Sequence, residues 1–208
     1  MHLGSTLGKR IHVMGNSCAG KTTLAQRIAD TRGIPHVNLD ALNWQPDWVG
    51  LNATDPEGFT DKLRDATAGD SWVVSGSYTG FSQTAFWHRL DTVIWLDLPM
   101  PVLLYRMLHR SWRRWRDREL LWGTNYESFW GQLAVWRGED SLIWWIVTQH
   151  YRKRRAMLDC IANASWDHIN FVRYRSARAA EQALFKDSGC LSDDRHRPDS
   201  ARESVQHS

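Results

Sequence analysis

Residues Gly15, Asn16, Ser17, Cys18, Ala19, Gly20, Lys21 and Thr22 satisfy the pattern G-x-x-x-x-G-K-[ST]. Glycines let such a turn curl so that its amides converge on an anion. A helix starting at Lys21 would add the positive end of its dipole. Lys21 is placed to reach the β- and γ-phosphates of a nucleoside triphosphate, and the Thr22 hydroxyl to hold the magnesium ion bridging them. Thr23 is a helix residue expected to pack under the loop, within reach of the same ligand. Cys18 reads as a small residue at a variable position. The chemistry implied is ATP- and Mg²⁺-dependent.

A donor loop does not name an acceptor, so other polar residues matter. Asp40 closes the apolar run HVNLD, and an acid there would bind an acceptor or deprotonate its hydroxyl. Trp44 and Trp48 follow in the next loop as candidate pocket walls. Gly76, Ser77 and Tyr78 close the run SWVVSG, where Gly76 would let backbone approach a ligand and Tyr78 would hydrogen-bond to it. Asp97 ends DTVIWLD and reads as structural. Five arginines, Arg110, Arg113, Arg114, Arg116 and Arg118, fall within nine residues, with Trp112 and Trp115 between them. Such a segment suits a lid that neutralises charge on a transferring phosphoryl group and excludes water; Arg110, Arg114 and Arg118 are the candidates. It also suits stacking on single-stranded nucleic acid. A second basic run, Arg152–Arg155, reads as a solvated helix face.

These residues need elements to hold them. Apolar runs at 10–14, 36–40, 71–76, 91–99 and 167–174 read as strands. Helical periodicity returns at 21–31, 57–68, 79–89, 99–109, 139–163 and 176–187. Asp55 and Pro56 form a start signal for the second of these helices. Residues 41–56 read as a loop by composition. The alternation predicts a three-layer α/β fold with a mostly parallel five-stranded sheet. The domain would run from 9 to 187, with a lid insertion at about 110–138 and a polar, disordered tail at 188–208.

GNSCAGKTTLAQRIAD, IPHVNLDALNW, WVVSGSY and DTVIWLDLPMPVLLYRMLHR together resemble the adenylate-kinase-like P-loop kinases, in particular the bacterial "DNA topology modulation protein" group. The resemblance spans about residues 10–185. It implies that Arg106 and Arg110, spaced from Pro99 as P-x₆-R-x₃-R, lie over the nucleotide base and on a phosphate. It implies that Glu127 meets the acceptor beside the lid, and that the loop over 173–178 grips adenine. Many relatives carry an acid where this chain has Ser75, which shifts metal or base chemistry onto Asp40 or Asp97.

The 208 residues carry a formal charge of +3, too small an excess to imply nucleic acid by itself. Three cysteines far apart suggest neither a disulfide framework nor a metal knot. No signal peptide or membrane-spanning run is apparent, and the chain reads as cytoplasmic. The expectation is a phosphotransferase acting on a nucleotide or other small-molecule acceptor, with no membrane partner. The alternative is a nucleic-acid-binding or regulatory ATPase with the same loop.

Overall fold

The structure, a computed structural model, describes residues 7–117, 120–121, 125–126 and 142–185. Five strands build the central sheet: β1 (Arg10–Gly15), β2 (His36–Asn38), β3 (Trp72–Ser75), β4 (Thr92–Leu96) and, last in the chain, β7 (Asn170–Tyr174). Every pairing is parallel, in the order β2-β3-β1-β4-β7. Strands buried on both faces need no polar alternation, and β3 and β4 are buried at every position.

Helices cover both faces. On one, α1 (Lys21–Arg32) packs Leu24, Ala25 and Ile28 against Ile11, Val13 and Ile94. Leu103 and Met107 of α6 (Met100–Asp117) and Ala180 of α8 (Ala177–Phe185) join the same cluster. On the other, Phe59 and Leu63 of α4 (Pro56–Ala66) pack with Val74, Val93, Trp72, Phe86 and Trp87. The long α7 (Leu142–Ala162) gives Ile146 to the first layer and Met157 to the second. Between those residues it therefore passes the carboxyl edge of the sheet.

Three expectations are corrected. Asp40 does not end a strand: β2 stops at Asn38, whose side chain accepts from the Asp40 amide at 3.1 Å and caps the short helix α2 (Leu39–Asn43). The segment expected to be loop holds α2, a 3₁₀ turn at Pro46–Trp48 and α3 (Leu51–Thr54). The helix expected to stop near His109 continues to Asp117, because no glycine or proline interrupts 102–117 and Leu103, Met107 and Ser111 continue its buried stripe. Arg110, Arg113, Arg114 and Arg116 therefore project from a helix. Beyond it, β5 (Leu120–Leu121) pairs antiparallel with β6 (Asn125–Tyr126), a hairpin the periodicity did not predict. The last helix is short, α5 (Thr79–Ala85), and carries the chain away from β3.

Candidate functional site

The loop between β1 and α1 is set by backbone geometry. Gly15 has φ +151°, and a Cβ there would lie 2.7 Å from the Leu96 carbonyl oxygen, so the close approach to β4 requires glycine. Gly20, the N-cap of α1, is left-handed (φ 97°, ψ 20°) and brings no side chain to the helix start. Residues 21–24 include no acid. The first-turn amides of α1 are thus left to an anionic ligand, where the helix dipole favours one. Cys18 is also left-handed at φ 62°. The Ala19 amide donates to the Asn16 carbonyl at 3.2 Å, the Ser17 amide to Asn16 Oδ1 at 2.8 Å, and Ser77 Oγ to the Gly15 carbonyl at 2.6 Å.

Lys21 folds back over this loop and donates from Nζ to the Asn16 carbonyl at 3.0 Å. Burial pushes its ammonium below the ordinary lysine range; Asp40 and Cys18 oppose the shift and Arg110 adds to it. Thr22 and Thr23 are both exposed at the start of α1. That suits Thr22 for a metal ligand, and it corrects the expectation that Thr23 packs under the loop. Arg106 donates from Nη1 to the Ala19 carbonyl at 3.1 Å, holding the guanidinium beside the loop. Arg110, one turn further, is half-buried, and its Nε has no hydrogen-bond partner among the described residues. Arg114 is half-buried a further turn along, whereas Arg113 and Arg116 are exposed, Arg116 against Asp117 at 2.8 Å. Arg118 and Glu127 lie outside the described residues.

The acceptor-side residues also converge. Tyr78 Oη donates to Asp40 Oδ1 at 3.0 Å, and burial beside that carboxylate pushes the phenol well above its ordinary value, so it stays a donor. Gly76 is buried at φ +150°, with the Leu39 side chain directly against it. Trp44 and Trp48 meet edge to face at 5.7 Å; Trp44 is half-buried and Trp48 is exposed. Ser75, standing where an acid was expected, is buried, and its hydroxyl is 2.9 Å from His36 Nε2 while His36 Nδ1 meets Gln26 Oε1 at 2.8 Å. Burial pushes His36 below the ordinary histidine range. With Nδ1–H donated to the amide oxygen, Nε2 accepts from the serine, which fixes the hydroxyl's direction.

Asp97 is structural in placement. Arg173 reaches it through both Nε, at 2.9 Å, and Nη2, and stacks its guanidinium 4.6 Å from the centroid of Trp95. Arg154 approaches the same carboxylate oxygen at 3.5 Å.

Arg154 and its neighbour Lys153 are what the sequence reading missed. Arg152 and Arg155 are exposed as expected of a solvated face, but Lys153 and Arg154 are half-buried. They line a cavity of about 70 Å³ with Gly15, Asn16, Ser77 and Asp97. A larger groove of about 860 Å³ lies beside the site between α4 and α5, lined by Thr60, Arg64, Tyr78 and Phe81 among others.

No family model matches the chain. A Bacillus subtilis (strain 168) protein named "Uncharacterized protein YqaC" is 29% identical over 123 residues, which are 58% of this chain and 66% of that protein's length. Among solved structures, a gluconokinase from Sinorhizobium meliloti 1021 is 19% identical and matches 86% of this chain and 91% of its own, with a TM-score of 0.47. A shikimate kinase from Bacteroides thetaiotaomicron is 16% identical over 86% of this chain and 96% of its own, with a TM-score of 0.48. The shikimate kinase from Acinetobacter baumannii in complex with shikimate is 17% identical over 88% and 95%, with a TM-score of 0.46. The fold class rests on the chain's own architecture. With parallel strands in the order β2-β3-β1-β4-β7, the sequence G-x-x-x-x-G-K-T after β1 and helices on both faces, the chain has the three-layer P-loop fold of the nucleoside-monophosphate-kinase type.

Proposed function

We propose that the protein is an ATP- and Mg²⁺-dependent phosphotransferase acting on a small-molecule or nucleotide acceptor. One observation carries the reading: a buried lysine on an amide-lined loop faces, across the sheet's carboxyl edge, a carboxylate held by a tyrosine. The donor loop fits a triphosphate, since the Gly15 turn leaves no room for a Cβ and the α1 N-terminus carries no competing acid. The residues that would hold ATP are 15–23, with Arg106 beside them, and Thr22 would ligate magnesium. Bound there, the metal supplies charge neutralisation between the β- and γ-phosphates.

The chain's own residues do the rest. Lys21 balances negative charge on the transferring group in a site shielded from water, where such contacts are worth most. Arg110 and Arg114 present guanidinium groups from one face of α6, four residues apart. Asp40 and Tyr78 orient the acceptor. If the acceptor is an alcohol, Asp40 takes its proton; if it is a phosphate, Asp40 binds without proton transfer. Arg118 and Glu127 are retained as proposed lid and acceptor contacts on the strength of the sequence resemblance. The narrower likeness to the DNA topology modulation group also rests on the sequence motifs alone.

The test is an ATP/Mg²⁺ screen against nucleoside monophosphates, nucleosides, sugars and sugar acids, read by product mass. Lys21→Ala should lower turnover by about 100-fold or more, the scale of losing one preorganised electrostatic contact. Unchanged ATP binding and turnover in that variant would overturn the reading.

A second reading keeps one observation of its own. Trp112 and Trp115 are 48% and 43% exposed on α6, their rings 5.3 Å apart, beside exposed Arg113 and Arg116. Such a face suits stacking on single-stranded nucleic acid. It requires ATP turnover stimulated by DNA or RNA, with binding that weakens steeply with salt. For membranes, no helix among the described residues is long and apolar enough to cross one.

A further inference from the structure

We propose that Lys153, with Arg154 beside it on α7, forms an oxyanion subsite for the acceptor, so that the acceptor carries a phosphate or carboxylate group. The inference rests on the kinase reading above and narrows it to a substrate class.

The placement is geometric. On α7, Ile146, His150, Lys153 and Met157 follow one another at spacings of four, three and four, a single helical stripe. Ile146, His150 and Met157 are buried, so Lys153 lies on the inward face. Where α7 crosses the sheet edge, Asn16 Nδ2 donates to the Ile146 carbonyl at 3.5 Å and ties the helix to the donor loop. The cavity beneath is bounded by Asn16 on the loop, Ser77 and Thr79 from the turn that carries Tyr78, and Lys153 and Arg154 from the helix. Its volume, about 70 Å³, is on the scale of one oxyanion group and not of a nucleotide.

The charges in reach do not balance. Lys21, Lys153, Arg110, Arg154 and Arg173 gather around the two carboxylates Asp40 and Asp97. Asp97 is taken by Arg173 and Arg154, and Asp40 also accepts from Tyr78. Burial and the nearby Lys21 push the Lys153 ammonium down to about 8, with Asp40 opposing the shift. A buried cation near a second lysine is stabilised by a counter-anion. Lys21, the α1 amides and Arg106 flank the donor side; Lys153 approaches from the Ser77–Thr79 side, where Asp40 and Tyr78 stand. The anion it recognises is therefore the acceptor's.

The experiment titrates inorganic phosphate into the full chain by calorimetry, with and without a saturating non-hydrolysable ATP analogue and Mg²⁺. Expected is one phosphate bound while the analogue is present, weakened at least tenfold in Lys153→Met and restored within about threefold in Lys153→Arg, with the analogue's own affinity unchanged in both. Binding should be strong at pH 7 and fall above pH 8 as Lys153 loses its proton, with Lys21, Asp40, Asp97, His150 and Arg154 as the other titratable or charged groups facing it. In Lys153→Arg the same pH rise should have little effect. Retained analogue binding shows that Lys153→Met is folded, and the Arg variant decides the matter if it is not. Turnover with paired acceptors (nucleoside monophosphate against nucleoside, sugar acid against sugar) should favour the anionic member and identify phosphate or carboxylate. Phosphate binding unaltered in Lys153→Met, weakening of the ATP analogue instead, or equal use of neutral acceptors overturns the proposal. Because the phosphate titration needs no turnover, it is read separately from Lys21→Ala, whose failure strikes the kinase reading alone.

Discussion

His12 lies in β1, three residues before the phosphate loop, and is fully buried. Trp87 donates from its indole to Nδ1 at 3.2 Å, and Phe86 meets the ring edge to face. Burial pushes the imidazole down to about 3, the Gly76 backbone offsetting part of this and the charge of Lys21 adding to it. In the unfolded chain the same group titrates at 6.5. Its folded pKa is depressed, so the folded state binds fewer protons: its full contribution is present above pH 6.5 and is lost as pH falls from 6.5 toward 3. At pH 5, 1.5 units below the unfolded value, the loss is about 2 kcal/mol at 1.36 kcal/mol per unit. With a urea m-value of about 2 kcal/mol/M, that moves the unfolding midpoint by about 1 M. His12→Asn leaves the indole an acceptor and removes the titration. Its midpoint at pH 7.5 should be lower than the native chain's, because the site is left underfilled. Between pH 7.5 and pH 5, however, the native midpoint should fall by about 1 M more than the variant's, since the other titrating groups are common to both. Equal shifts in the two proteins would refute the reasoning.

Two more perturbations probe the frame around the site. Arg173→Met leaves Asp97, 6% exposed in its side chain, with only the longer contact to Arg154; urea denaturation should show a loss of about 3 kcal/mol, against less than about 1 kcal/mol for Arg154→Met. At Gly76 an added Cβ would meet Leu39 Cβ at 2.6 Å, with φ at +150° besides. Gly76→Ala should cost about 1–3 kcal/mol. In a double-mutant cycle, Leu39→Ala should relieve at least about 1 kcal/mol of that cost, and simple additivity would show that the two residues do not press on each other.

Much of this frame was legible in the sequence, for identifiable reasons. The phosphate loop is a local object: its turn depends on glycines at fixed spacing and on the strand and helix that flank it, all within about twenty residues. The strands were legible because a sheet buried on both faces leaves continuous apolar runs such as TVIWL in β4. Asp40 was singled out correctly as a residue at the sheet edge but given the wrong element. The Asn38 cap two residues earlier is the signal for α2, overridden by reading HVNLD as one apolar run. The arginine-rich segment was taken to break the helix because charge was weighed above periodicity. Arginine is a good helix former, and Leu103, Met107 and Ser111 carry the buried face straight through it.

Lys153 shows where such reading fails and how it is mended. Four consecutive basic residues cannot share a solvated face, because successive helical positions turn by about 100° and Arg152–Arg155 sweep most of the circumference. At least one must point inward, and the stripe through Ile146, His150 and Met157 selects Lys153. A lysine at that position loses hydration on folding, a cost a purely structural stripe avoids by placing an apolar residue there. Its position beside the phosphate loop, where two carboxylates are already engaged by Arg173, Arg154 and Tyr78, leaves an anionic ligand as the compensation the fold is built to receive.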